Sequence, residues 1–196
     1  AVGDVGCYSF FPTKNLGGCG DGGMVVTRDA GRAERLRRLR VHGEERTYFH
    51  EEVRLNSRLD ALQAAVLDVK LPHLERWNAD RRLCADRYRL LFESRGLTDR
   101  VTLPEELADN HHIYHQYVVR VPDRDRLMAH LDGLGLTTRV YYPLPLHLQP
   151  CFAFLGGRPG DYPQAERLSQ EALALPIFPG LEVGVALAHG GDGGGD

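Results

Sequence analysis

The chain has 196 residues, 42% of them hydrophobic and 26% charged, and its 24 Lys and Arg against 27 Asp and Glu leave a net charge of -3. That balance is ordinary for a globular protein and implies no nucleic-acid or other polyanion partner; no apolar run reaches the length of a membrane span, and no leader of signal-peptide form is present. The four cysteines, Cys7, Cys19, Cys84 and Cys151, form no C-x-x-C pair, which predicts reduced thiols in the cytoplasm rather than a disulfide framework or a zinc knot.

The first predicted elements are two strands, Gly6-Cys7-Tyr8-Ser9-Phe10-Phe11 and Met24-Val25-Val26-Thr27, both rich in aromatic or β-branched residues. Between them Pro12-Thr13-Lys14-Asn15-Leu16-Gly17-Gly18-Cys19-Gly20-Asp21-Gly22-Gly23 sets one lysine in a glycine-rich connection. Such a lysine is either a solvated loop residue or an amine partly desolvated at a site, where it can serve as nucleophile or proton shuttle. Local chemistry leaves both open. Two phosphate motifs fail. Gly18 to Gly23 spells G-x-G-x-x-G, but a β-type run follows it, so a phosphate would meet no helix N-terminus. A P-loop needs glycine before the lysine and Ser or Thr after it, where this chain has Thr13 and Asn15.

Asp29 is placed to cap a helix that runs through Leu36 and Leu39 to a stop at Gly43, and its many arginines read as a solvated face. Residues 44–55 read as a polar, irregular connection. Leu59, Leu62, Val66 and Val69 then recur at helical spacing, with Asn56 or Ser57 as the cap. Pro72 predicts a break, beyond which Leu74, Trp77, Cys84, Tyr88 and Leu91 continue an apolar stripe to a C-cap at Gly96, with Trp77 as packing. After a linker at 102–110, the run from His111 to Val121 reads as a strand; His111 and His115 on one strand face stand too far apart to clasp an ion, so no metal site is predicted. A helix over 124–134, ended by Gly135, and a strand over 137–141 complete a β-α-β pattern. The connection Tyr141 to Gln149, with its prolines, suits a substrate-facing loop or a plain extended segment equally. A last helix spans 165–173, and 181–196 dissolves into a glycine-rich tail predicted to be disordered.

Two of these segments resemble the DegT/DnrJ/EryC1/StrS family, pyridoxal-phosphate-dependent aminotransferases acting on nucleotide-linked keto-sugars. One is Ser9-Phe10-Phe11-Pro12-Thr13-Lys14-Asn15-Leu16-Gly17 with Gly20-Asp21-Gly22-Gly23. The other is Asn56-Ser57-Arg58-Leu59-Asp60-Ala61-Leu62-Gln63-Ala64-Ala65, which fits the family's N-x-R-L-D-x-L-Q-A-A pattern. The resemblance implies an α/β chain, the C-terminal portion of a fold-type-I aminotransferase. Residues 1–57 would end its large cofactor-binding domain, 58–96 would be linking helices, 97–180 the small C-terminal α/β domain and 181–196 the tail.

The resemblance further implies that Lys14 is catalytic, holding pyridoxal 5'-phosphate as a Schiff base, that Ser9 holds the cofactor phosphate, and that Asn56 reaches the phosphate of the partner subunit in a homodimer. A phosphate near a helix N-terminus is physically reasonable. A tyrosine-proline-x-x-x-histidine stretch near the family's sugar site makes Tyr142 and His147 substrate contacts. Glutamate would be the amino donor and a nucleotide-linked keto-sugar the acceptor. The match also implies about the second half of a family member, with the acidic partner of the pyridine nitrogen and the ring-stacking aromatic preceding Ala1, so that the chain by itself would be inactive. An inactive fragment and a non-catalytic, regulatory or binding member of the family remain the alternatives. A related sugar dehydratase would carry histidine where this chain has Lys14.

Overall fold

Strands β1 (Val5–Ser9) and β2 (Gly23–Thr27) pair antiparallel, from Val5 opposite Thr27 to Ser9 opposite Gly23. The structure, a computed structural model, describes residues 3–182. The chain forms two compact units, Ala1–Glu75 and Arg76–Asp196.

In the first unit, helix α1 (Ala30–Leu39) starts where the sequence places it: the Asp29 carboxylate accepts from the Arg32 amide at 2.7 Å. The segment 44–55 is more ordered than its polarity suggests. Strands β3 (Glu44–Arg46) and β4 (Phe49–His50) make a short hairpin, and the Arg46 guanidinium lies 3.9 Å over the Phe49 ring. Strands this short, paired through an irregular register, leave no alternation to read.

Helix α2 (Ala61–Lys70) begins later than predicted, and its cap is Asp60, whose carboxylate accepts from the Leu62 amide at 3.2 Å. Asn56 and Ser57, predicted as caps, instead lie in an extended stretch paired with the end of α1: Asn56 bridges Val41, and the Ser57 amide donates to the Arg40 carbonyl. Pro72 sits in a 3-10 turn (Leu71–His73) that leads into α3 (Leu74–Ser94), which the Gly96 amide helps to close by donating to Glu93.

The second unit is built on β5 (Tyr117–Arg120) and β6 (Ala172–Leu175), antiparallel from Tyr117 opposite Leu175 to Arg120 opposite Ala172. Single bridges flank the pair, Thr102 on Arg120 and Arg139 on Ala174. Helix α4 (Arg124–Gly133) connects β5 to the Arg139 bridge, so the predicted β-α-β survives in split form with β6 between its two strands. The expected strand over 137–141 is reduced to that one bridge. Helix α5 (Pro163–Glu171) stops before Ala172, and the predicted last turn of helix is β6 instead. Ala172-Leu173-Ala174-Leu175 is a short apolar run with no period of its own, and its burial decides its form: Leu173 is wholly enclosed.

Around β5 and β6 gather Ala85, Tyr88, Tyr114, Val119 and Leu173, with the Tyr88 and Tyr117 rings stacked at 4.9 Å. Burial pushes the Tyr88 phenol up to about 12, in keeping with its role as donor to the Pro176 carbonyl. Two arginines are buried and donate to backbone carbonyls, and Arg124 also pairs with the exposed Asp125 carboxylate. Arg81 donates to the carbonyls of Tyr114, His115 and Ile177, and Arg124 to those of Ser169 and Ala172. Leu181 packs against the same core; residues 183–196, most of the predicted tail, lie outside the described residues. Among the described residues no helix is long and apolar enough to cross a membrane.

Candidate active site

The connection between β1 and β2 folds back on itself through three backbone bonds. The Phe10 amide donates to Gly22 at 2.8 Å, the Gly18 amide to Phe10 at 2.8 Å, and the Lys14 amide to Phe11 at 2.9 Å. Lys14 thus sits on a tight turn, half-buried, with Gly17 and Gly18 fully buried beside it. A side chain at Gly17 would put a Cβ 2.5 Å from the Pro12 carbonyl oxygen, so the turn closes only because that position carries none.

Helix α2 braces this turn. The Cys19 amide donates to Gln63 Oε1 at 2.7 Å, and Lys70 Nζ donates to the Gly17 carbonyl at 2.5 Å. Gln63, Leu67 and Lys70 lie on one face of the helix, and Leu67 is buried. The apolar spacing that predicts the helix points to another face: Leu62 and Val69 are 75% and 71% exposed. Sequence reading therefore missed both bracing residues. Gln63 stands inside the second family pattern, and that was its only signal.

Ser9 ends β1, and its hydroxyl, exposed, accepts from the Phe11 amide at 3.3 Å. Ser9 and Lys14 share one connection. Asn56 belongs to the extended segment beside α1, where its Oδ1 accepts from the Arg58 amide at 3.4 Å. Tyr142 and His147 lie in the second unit. The Tyr142 ring meets Tyr141 edge-on and is 71% exposed. His147 is instead enclosed, its Nε2 2.9 Å from Glu166 Oε1 and its ring 4.8 Å from that of Tyr162. Glu166 also accepts from the amides of Gly160 and Tyr162, and these, led by Gly160 and joined by His147, hold its carboxyl below the usual carboxylate range.

The segment predicted as a strand from His111 becomes one only at Tyr117: Tyr114 takes a positive φ of 41°, and its amide donates to His112 Nδ1 at 2.8 Å. Among the described residues no group of three or more His, Cys, Asp or Glu is arranged to hold a metal.

Whether a carbonyl cofactor with a phosphate fits can be judged from the donor set. Among the described residues the half-buried Lys14 amine has no hydrogen-bond or ion-pair partner, and an exposed hydroxyl stands at the near end of its loop. An unpaired amine with neutral hydroxyl and amide groups suits an aldehyde and a phosphate. The profile of the DegT/DnrJ/EryC1/StrS aminotransferase family matches residues 1–185. The chain belongs to this family.

Family members are pyridoxal-phosphate-dependent, and the fold matches theirs. The chain is 53% identical over 182 residues to a protein of Geobacillus stearothermophilus named "Pleiotropic regulatory protein", covering 92% of this chain and 48% of that one. It is 45% identical over 178 residues to dTDP-3-amino-3,4,6-trideoxy-alpha-D-glucose transaminase of Streptomyces venezuelae, covering 91% and 46%. Among solved structures, S. venezuelae DesV superposes with a TM-score of 0.86 at 43% identity, covering 95% of this chain and 50% of DesV. The chain spans about half the length of the curated relatives it matches and is the mixed α/β, C-terminal portion of the DegT/DnrJ/EryC1/StrS fold.

Proposed function

We propose that this protein is an aminotransferase that moves an amino group from glutamate to a nucleotide-linked keto-sugar in the cytoplasm, as a homodimer using pyridoxal phosphate. The observation that carries this reading is the half-buried Lys14 amine, without a partner among the described residues, on a turn braced by α2. In the same reading 1–57 ends the large domain, 58–96 links, and 97–180 forms the small domain. The named activity of the S. venezuelae relative supports a nucleotide-sugar substrate.

Lys14 would hold the cofactor through its amine, Ser9 through the phosphate, and Asn56 through the phosphate of the partner subunit's site. When bound, the cofactor supplies the electron sink that makes the carbon bearing the donor amine acidic. Lys14 Nζ would take the proton from that carbon and carry it to the cofactor's own carbon, which requires the amine to be free to move. Tyr142, being exposed, is the better placed of the two sugar contacts. His147 would act through Glu166, whose carboxylate it meets and which holds the Gly160 and Tyr162 amides.

Borohydride reduction with pyridoxal phosphate, run on the full polypeptide that carries this sequence and followed by peptide mass mapping, is expected to label Lys14. Label elsewhere, or none, sinks the assignment. Mixing Lys14→Ala with Asn56→Ala protein is expected to restore part of the activity through hybrid dimers, and a verified hybrid that stays inactive counts against shared sites. A non-catalytic, regulatory role is the second reading, favoured by the name of the G. stearothermophilus relative. Glutamate-dependent amination across a panel of nucleotide keto-sugars separates the two: labelled Lys14 without any amination favours regulation.

A further inference from the structure

We propose that α2 is the positioning element of the Lys14 turn, with Gln63 and Lys70 as its two anchors. The proposal rests on the reading of Lys14 as the cofactor lysine. Its basis is the pair of long-range bonds that cross from one helix face to the two ends of one short stretch, Lys70 Nζ to the Gly17 carbonyl and Gln63 Oε1 to the Cys19 amide. Neither bond serves α2 itself. Gln63 and Lys70 stand two helical turns apart on the face that also buries Leu67. They therefore grip the turn at separate points and fix its tilt as well as its distance.

The turn is shaped to receive them. A Cβ on Gly18 would stand 2.8 Å from Gln63 Oε1, and one on Gly20 would stand 3.2 Å from Gln63 Nε2. The side-chain amide thus fills the space that two glycines leave open, and any residue in place of Gly18 would push it off the Cys19 amide. Leu59 closes the far side, its Cδ1 2.9 Å from the Cβ position of Gly22. Asp60, by capping α2 just before Ala61, places Gln63 in the first turn. Leu59, Asp60 and Gln63 of the second family pattern are in this way joined physically to the first.

The anchors also divide the labour. Gln63 is an acceptor for a backbone amide, and Lys70 a donor to a backbone carbonyl; both peptide groups lie on the C-terminal side of Lys14. The N-terminal side is held by the hairpin itself through Phe10 and Phe11. On the C-terminal side the two α2 bonds add to the hairpin's own bond from the Gly18 amide to Phe10, and together they keep the buried glycines, and with them the Lys14 amine, in place.

Two measurements test this, on the full polypeptide. Hydrogen exchange without cofactor reads the brace directly: the Cys19 amide is expected to exchange about tenfold faster in Gln63→Ala, and to stay protected in Gln63→Glu, which keeps the acceptor. The rate of borohydride labelling at Lys14 is expected to fall about tenfold in Gln63→Ala and Lys70→Met and to be restored in Lys70→Arg. Gly18→Ala, which presses on Gln63 from the loop side, serves as an independent variant should the helix variants fold poorly, and is expected to act like Gln63→Ala. Unchanged Cys19 exchange, or labelling of Lys14 as fast in the variants as in the parent, overturns the brace. Failure of the parent protein to label at Lys14 overturns the cofactor reading instead, and the exchange result then stands alone.

Discussion

The described residues of the two units make different kinds of contact. In Arg76–Asp196, aromatic and aliphatic side chains close around β5 and β6, with Val119 1% and Leu173 0% exposed. In Ala1–Glu75 the described residues bury a single large hydrophobic side chain, Leu67, while Tyr8, Met24, Val25 and Leu62 stay open. The turn that carries Lys14 is secured there by polar tethers to backbone groups. Among the described residues, packing closes the core around β5 and β6, and hydrogen bonds from α2 secure the Lys14 turn. A residue that must move during chemistry is better held by a few directional bonds than by a close-packed shell, because each can be broken at about 1 kcal/mol net.

Substitutions can break or sharpen that contrast. Leu173→Ala should have the largest effect, costing about 2–5 kcal/mol, because it empties a site enclosed on every side; loss of exchange protection across β5 and β6 would report it, and a change below about 1 kcal/mol would deny the second unit its core. In the first unit, Leu67→Ala should cost about 2–3 kcal/mol while Leu62→Lys changes stability by less than about 0.5 kcal/mol. Denaturant titration of the two variants decides which face of α2 is inward, and the reverse order would refute the assignment made from the Gln63 and Lys70 bonds. Asp60→Ala should cost about 1 kcal/mol by removing the α2 cap, whereas Ser57→Ala should not, as measured by thermal unfolding.

The smallest effect expected is a pH dependence in the second unit. Glu106 accepts from Arg82 at 2.6 Å and from the His112 amide at 2.7 Å, and these bonds, Arg82 first, hold its carboxyl down from the ordinary 4.5 to about 2. A carboxylate whose folded pKa is depressed contributes stability above its unfolded pKa and loses it as pH falls through the folded one. Part of the stability should therefore be lost between about pH 4.5 and pH 2, and Glu106→Gln should flatten the profile in that window. A parallel slope in both proteins would show that Arg82 and Glu106 contribute nothing there.

Much of this architecture is legible from residues alone. The strands on either side of Lys14, the Asp29 cap, the break at Pro72 and the stops at Gly96 and Gly135 each depend on a local backbone preference that a single residue type announces. What escaped depends on partners distant in sequence. Ala172–Leu175 is a strand because Tyr117–Arg120 pairs with it, and nothing within four residues says so. The inward face of α2 is set by a glycine turn more than forty residues upstream, and the open leucine and valine positions give the stronger periodic signal. The hairpin at 44–50 rests on too few pairs to leave a pattern. At the candidate site, Lys14 and Ser9 could be read from one segment, but the bracing roles of Gln63 and Lys70 could not, since an amide and an amine on a helix read as solvated until the donor to the one and the acceptor from the other are seen.

The position of β6 also bears on how the protein is made. Tyr117 waits for Leu175 and Arg120 for Ala172, and Arg139 finds its partner in the same strand. The sheet of the second unit thus cannot close on the ribosome until residues 172–175 have emerged, long after α3 and β5. Until then the stacked tyrosines have no cover, and contacts this distant in sequence form slowly. The cover over these tyrosines should therefore form only once Ala172–Leu175 has been made, late in the synthesis of the second unit.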